Sequence, residues 1–273
     1  MAEEARLDWV PPGVDPKRAN VARVYDYWLG GTHNFLADQD AGRAIAAVEP
    51  RMRSIAQANR AFLRRAVRFL GVRDIDQFLD LGSGIPTSGN VHEVAQQANP
   101  AARVAYVDVD PVAIAHSKAI LAGNENAAII DGDVREPEKI LAHDSVDRLI
   151  DFSRPVGLIV LAVLQFIADA ENPRQIMATL RDRMVPGSYL VLGHATDDGS
   201  KPTVAQAGET IYNRNVATKL HLRSRVDIER LFDGFDLVDP GLVYATMWRP
   251  SSPEDIQADL ADYGVLVGVA RKL

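Results

Sequence analysis

The chain has 273 residues, enough for one large α/β domain with appendages or at most two small domains. Hydrophobic residues make up 47% and charged residues 25%, the balance of an ordinary soluble globular protein, and a formal net charge of -7 argues against a general nucleic-acid binder. The absence of cysteine excludes disulfides, thiolate metal sites and cysteine nucleophiles.

No segment approaches the roughly 20 apolar residues needed to span a bilayer, and the acidic start, Met1 to Arg6, has no signal-peptide core. The expectation is a cytoplasmic protein. Residues 1–18, with Pro11, Pro12, Gly13 and Pro16, read as an extended arm. Val21, Val24, Tyr25 and Trp28 then fall at helical spacing, and the pattern stops at Gly30-Gly31. Asp40 to Val48 predicts a short helix ended by Pro50. A longer one carries Ile55, Asn59, Phe62, Leu63, Val67 and Leu70 on one face before Gly71. The chain therefore divides into a helical arm and cap over 1–72 and a core over 73–273.

In the core, apolar runs at 75–81, 103–107, 127–130, 156–163, 188–193, 236–243 and 263–270 predict strands. Helical patterns at 88–98, 111–122, 136–142, 172–184 and 224–233 lie between most of them. This alternation predicts a doubly wound, mainly parallel, Rossmann-like sheet of seven strands. No long helix separates the last two runs, only a possible short one at 254–261, so the last strand is expected to return antiparallel in a C-terminal hairpin.

The most informative segment is Phe78-Leu79-Asp80-Leu81-Gly82-Ser83-Gly84. An apolar strand ends in an acid and a Gly-x-Gly turn, where a missing Cβ lets a ligand approach the backbone. Thr87 stands where a dinucleotide fingerprint needs its third glycine, and Asn90 where a P-loop needs lysine, so neither phosphate-binding pattern is complete. An adenosine ligand without phosphate fits better, which favours S-adenosylmethionine (SAM) over NAD. The second strand ends in Asp108, at the spacing of a ribose-binding carboxylate, while Asp110 before Pro111 is the natural helix cap. After the third strand, Asp131 or Asp133 could accept from the adenine amine; with the first two sites the choice falls on Asp133, and Val134 supplies a backbone N–H. The 162–166 loop after the fourth strand (Ala162, Val163, Leu164, Gln165, Phe166) forms an apolar wall beside the reacting centre.

In the N-terminal helices, Tyr25, Gly31 and Asn34 read as a lid, and Arg60 as a partner for a ligand carboxylate. His194, Asp197, Tyr212, His221 and Tyr25 are candidates for a general base. The histidines show no metal spacing, so no metal is expected.

Through the 78–84 segment and Tyr106-Val107-Asp108-Val109-Asp110-Pro111, the chain resembles class I SAM-dependent methyltransferases. More narrowly it resembles a largely uncharacterised actinobacterial family once described as a domain of unknown function. The blocks that carry this are Val21 to Phe35, Asn59 to Arg65, Ile85-Pro86-Thr87 and Pro240-Gly241-Leu242-Val243. Gln165 and Trp28-Leu29 depart from the family's His and Leu-Leu. The resemblance implies a methyltransferase with SAM as cofactor and S-adenosylhomocysteine (SAH) as product. Gly82, Ser83 and Gly84 would pass under the methionine moiety and Asp80 would order that turn. Asp108 and Val109 would meet the ribose, Asp133 and Val134 the adenine. A small-molecule acceptor is expected, with no nucleic-acid or membrane partner. A non-catalytic SAM- or SAH-binding protein and an NAD(P)-dependent oxidoreductase are the alternatives.

Overall fold

A computed structural model describes residues 11, 14–86, 89–199, 202–250 and 264–273, with only the backbone for 202–205. Most of the expected N-terminal arm, Thr87 and the short helix expected at 254–261 lie outside the described residues. Three helices come first among the described residues. Helix α1 (Val21–Leu29) starts where the Asn20 side chain accepts from Ala22 N, and ends at Gly30, whose φ of 82° is the left-handed cap glycine tolerates. Helix α2 (Leu36–Val48) begins four residues before the expected Asp40. Asp38, with no solvent exposure, explains this: its carboxylate accepts from Phe35 N, Asn20 N and Arg23 Nε at 2.8–3.0 Å. Helix α3 (Met52–Gly71) follows as expected.

The remaining elements are β1 (Gln77–Leu81), α4 (Val91–Ala98), β2 (Arg103–Asp108), α5 (Pro111–Ile120), β3 (Ala127–Asp131), α6 (Pro137–Leu141), α7 (Asp144–Leu149), β4 (Gly157–Leu161), α8 (Pro173–Arg183), β5 (Tyr189–Ala195), α9 (Pro202–Asn215), α10 (Arg225–Glu229), β6 (Phe235–Leu237), β7 (Val243–Tyr244) and β8 (Val265–Lys272). Helices α7 and α9 were not expected. Nor is the 236–243 run one strand. After β6, Val238 N still bonds to Val269 O, then residues 239–242 loop out around Pro240 and Gly241, and β7 resumes pairing at Val267. Proline cannot donate to the ladder and Gly241 has φ 86°, so the edge strand breaks there. The sheet therefore has eight strands rather than seven.

Its order is β3-β2-β1-β4-β5-β8-β6, with β7 also on β8. Strands β1 to β5 are mutually parallel, and β8 runs antiparallel to β5. The order reverses between β1 and β4, which opens a crevice at their carboxyl ends. Both faces are covered, as continuous apolar strands require. On one face Phe62, Leu70 and Trp248 pack on Phe78, Val104, Ile159 and Val267. On the other, Leu149, Ile176, Leu180 and Phe232 pack on Leu79, Val160 and Leu192. A third cluster joins Val24, Trp28, Ala41, Ile45 and Ala56 of α1–α3 to Tyr212 of α9 and to Val216. This helical layer roofs the crevice.

Candidate functional site

The roof and the strand ends enclose a cavity of about 350 Å³. The turn after β1 forms its floor. Gly82 N and Ser83 N both donate to Val107 O, at 2.8 and 3.2 Å, which draws the turn against β2. Gly82 has φ 66°, and a Cβ there would stand 2.3 Å from Val163 Cγ2. Gly84 has φ 68°, and a Cβ on it would meet no described atom within 4 Å; the residue lines the cavity. One glycine is needed by the protein's own packing; the other faces open space at the cavity wall.

Three buried polar atoms on residues of the cavity lining have no hydrogen-bond partner among the described residues: Ser83 Oγ in this turn, and Arg60 Nε and Asn59 Oδ1 on α3. All three residues line the cavity. Unsatisfied buried groups each cost about 1–3 kcal/mol, so their concentration here marks a surface shaped for a polar ligand. Arg60 is otherwise held by Nη2 bonds to Asn90 Oδ1 and Gly89 O, at 3.2 and 3.4 Å. Asp80 faces the same space. Burial pushes its carboxyl up to about 7, the Arg60 guanidinium pulls against that rise, and Asp108 adds to it.

Asp108 is anchored at both oxygens. Oδ1 accepts from Asp110 N at 2.8 Å and Oδ2 from Gly84 N at 2.7 Å, so the carboxylate clamps the glycine turn to β2. Each oxygen keeps a lone pair for a further donor in the cavity. Burial raises its pKa, against the lowering effect of those backbone bonds. Asp110 caps α5, accepting from Val112 N and Ala113 N. Val109, Asp133 and Val134 line the next stretch of wall, with Asp133 accepting from Arg135 N at 2.9 Å. Ala162 and Val163 close the wall after β4, Ala162 in the left-handed region at φ 59°.

Of the residues singled out in the sequence, Tyr25, Arg60, Asp80, Gly82, Ser83, Gly84, Asp108, Val109, Asp133, Val134, Ala162, Val163 and Tyr212 line one cavity. Leu164 does not; it turns into the core beneath the sheet. Gly31 and Asn34 do not either. The buried Asp26 carboxylate accepts from His33 N and Asn34 Nδ2, at 2.9 and 2.8 Å, and leaves no room for a Cβ at Gly31. These two residues build the α1–α2 turn.

The candidate bases are mostly engaged elsewhere. His194 is fully buried and off the cavity, with Nε2 on Arg223 Nη1 and Nδ1 on Ala195 O. Tyr25 donates to Ala56 O and accepts from Asn59 Nδ2, both at 3.1 Å, and burial raises its pKa. Tyr212 is raised strongly by burial. Asp197 is exposed, and His221 donates its backbone N–H to Gln165 O. Gln165 itself lines the cavity and accepts from Ala195 N at 2.9 Å, tying the wall to β5. Sequence reading missed Gly208 and Glu209, which enter the cavity from α9. Among the described residues no His, Asp or Glu cluster is arranged to hold a metal, and no helix is long and apolar enough to cross a membrane.

A model of the S-adenosyl methyltransferase family matches residues 8–273. The chain belongs to that family. Two solved structures extend the likeness over whole chains. A DUF574-family protein from Streptomyces avermitilis is 34% identical, with a TM-score of 0.90 over 95% of this chain and 99% of that one. A protein from Thermobifida fusca, provisionally named a methyltransferase, is 40% identical, with a TM-score of 0.89 over 97% of this chain and 99% of that one. No curated protein sequence matches. The family identifies the protein as a SAM-dependent methyltransferase and sets aside the nicotinamide reading of the sheet.

Proposed function

We propose that the cavity is the transfer site of this S-adenosyl methyltransferase and that the acceptor is a small molecule. The open face of Gly84, in a cavity whose lining also carries the partnerless Ser83 Oγ, Arg60 Nε and Asn59 Oδ1, carries this reading. The bound cofactor supplies an electrophilic methyl group. Arg60 and Ser83 suit its carboxylate, and Asp80 its ammonium. Asp108 has lone pairs for ribose hydroxyls, and Asp133 and Val134 suit the adenine edge. Ala162 and Val163 exclude water beside the reacting centre, where a dry wall does not oppose the loss of positive charge. The remaining volume lies between α1, α9 and the 165–166 turn, walled by Tyr25, Trp28, Phe166 and Tyr212. A concave, aromatic-lined space of this kind suits a small molecule better than a polymer strand.

Calorimetric titration with SAM, SAH and NAD tests the cofactor half. Micromolar binding of the first two, absent for NAD and lost in Asp108→Ala, is expected. Binding indifferent to Asp108 sinks the assignment. SAH release from SAM with fractionated small metabolites, against protein and RNA fractions, tests the acceptor half.

A further inference from the structure

Helix α9 contains a residue that helices disfavour. Gly208 sits in its interior, where glycine costs roughly 0.5–1 kcal/mol relative to alanine. Neither usual reason for a glycine applies. Its φ is not positive, and a Cβ built on it would meet no described atom within 4 Å. Instead it lines the cavity, and the missing side chain leaves room on the side of Tyr212, one turn on along the same helical face.

The neighbouring positions give that room a chemical character. The Tyr212 ring stacks on Phe166, with centroids 6.1 Å apart and planes 26° apart. Tyr25 and Trp28 line the same end. Glu209 also lines the cavity, and no cation among the described residues pairs with it. The other carboxylate at this end, Glu49, is different: Arg51 holds it with two bonds of 2.7 and 2.6 Å. Arg135 is likewise taken up, by Asp133 and Glu171. An uncompensated carboxylate among aromatic faces repels an acidic ligand. It attracts a cation, which the ring faces stabilise further by about 0.5–2 kcal/mol.

We propose that the acceptor is a small aromatic molecule bearing a basic nitrogen. Its ring lies against Tyr212 and Phe166 in the space left by Gly208, and its ammonium meets Glu209. The inference rests on reading this cavity as the transfer site.

Tryptamine and phenethylamine, with indole-3-acetate and phenylacetate as acidic counterparts, serve as probes titrated into the full chain saturated with SAH. Both amines are expected to bind and both acids to fail. Glu209→Gln should weaken amine binding about tenfold or more, the loss of a charge-assisted contact, with SAH affinity unchanged. Gly208→Phe should abolish amine binding and Gly208→Ala weaken it less; intact SAH binding shows that each variant is folded. Acids binding as tightly as amines, amine affinity indifferent to Glu209→Gln, or no amine binding to the SAH complex overturns the proposal. If wild-type protein fails to bind SAH at all, it is the cavity assignment that falls.

Discussion

Arg223 Nη1 donates to His194 Nε2 across 2.7 Å, so the imidazole must carry its proton on Nδ1, which donates to Ala195 O at 2.6 Å. The same guanidinium donates to Leu164 O and Ile167 O and pairs with Asp169. A histidine at a strand's carboxyl end thus serves as a fixed acceptor that positions the arginine behind the 162–167 wall.

His194 should therefore stay neutral in mild acid. Burial, reinforced by the Arg223 charge, lowers its pKa from 6.5 to about 4. Between these values the folded state binds fewer protons than the unfolded one, so stability rises with pH across that window. The contribution is complete above 6.5 and lost as pH falls through about 4. Urea midpoints at pH 7 and 5 should differ less in His194→Gln than in wild type. Equal differences would show that the imidazole does not titrate as described.

Arg223→Ala leaves two buried carbonyls and His194 Nε2 without their donor. A loss of about 2–4 kcal/mol in unfolding free energy is expected, read from denaturant titration. A loss under about 1 kcal/mol would mean that water replaces the guanidinium and that the wall does not depend on it.

The two glycines of the β1 turn should fail in different ways. Gly82→Ala is strained at positive φ and collides with Val163, so stability falls, and Val163→Ala in the same chain should restore part of it. Gly84→Ala pays only the conformational cost, about 1–2 kcal/mol, but adds a methyl at the cavity wall. Its thermal midpoint should drop less than that of Gly82→Ala while SAM affinity falls more. Equal effects on both readouts would show that Gly84 does not face the ligand.

Asp80 is held near half-protonation at neutral pH, with a pKa of about 7. Because that value lies above the unfolded one, its favourable contribution to the ligand-free protein is full below about 4 and lost as pH rises through 7. Asp80→Asn should therefore be more stable than wild type at pH 8.5, and the difference should shrink toward pH 5. Binding of a cationic ligand group should expel the proton. SAM titrations at pH 7 in phosphate and in Tris should then give different apparent enthalpies, and identical enthalpies would place the cation elsewhere.

Asp108→Asn should be as damaging to SAM binding as Asp108→Ala. Both carboxylate oxygens face backbone N–H donors, so whichever way the amide turns, its NH₂ points at a donor. Retained affinity in the Asn variant, measured by calorimetry, would show that the double clamp is dispensable.

The parts of this architecture written in local chemistry were legible in the sequence. Asp110-Pro111 announces a capped helix, Gly82-Ser83-Gly84 a tight turn, and the apolar runs a parallel sheet, because each depends on neighbours a few residues away. Helix α9 was not legible: Gly208 interrupts it, its apolar positions are few, and its face is set by α2 and the 164–166 turn, distant in the chain. Asn34 shows the other limit. An asparagine after a Gly-Gly turn looks the same whether it meets a ligand or, as here, Asp26 of the preceding helix. Likewise Leu164 and Val163 are equally apolar in sequence, and only the 3₁₀ turn at Leu164–Phe166 decides that one enters the core and the other the cavity.

Helix α9 leans on α2 and has little contact with the sheet. The residues that would hold the cofactor lie on strand ends and α3, where a substitution disturbs the main core, whereas positions 208, 209 and 212 sit on an element that can be reshaped without it. Relatives with the same floor can thus diverge at these three positions. On the proposed reading of these positions as the acceptor wall, selection can then retune the molecule processed while the donor chemistry stays unchanged.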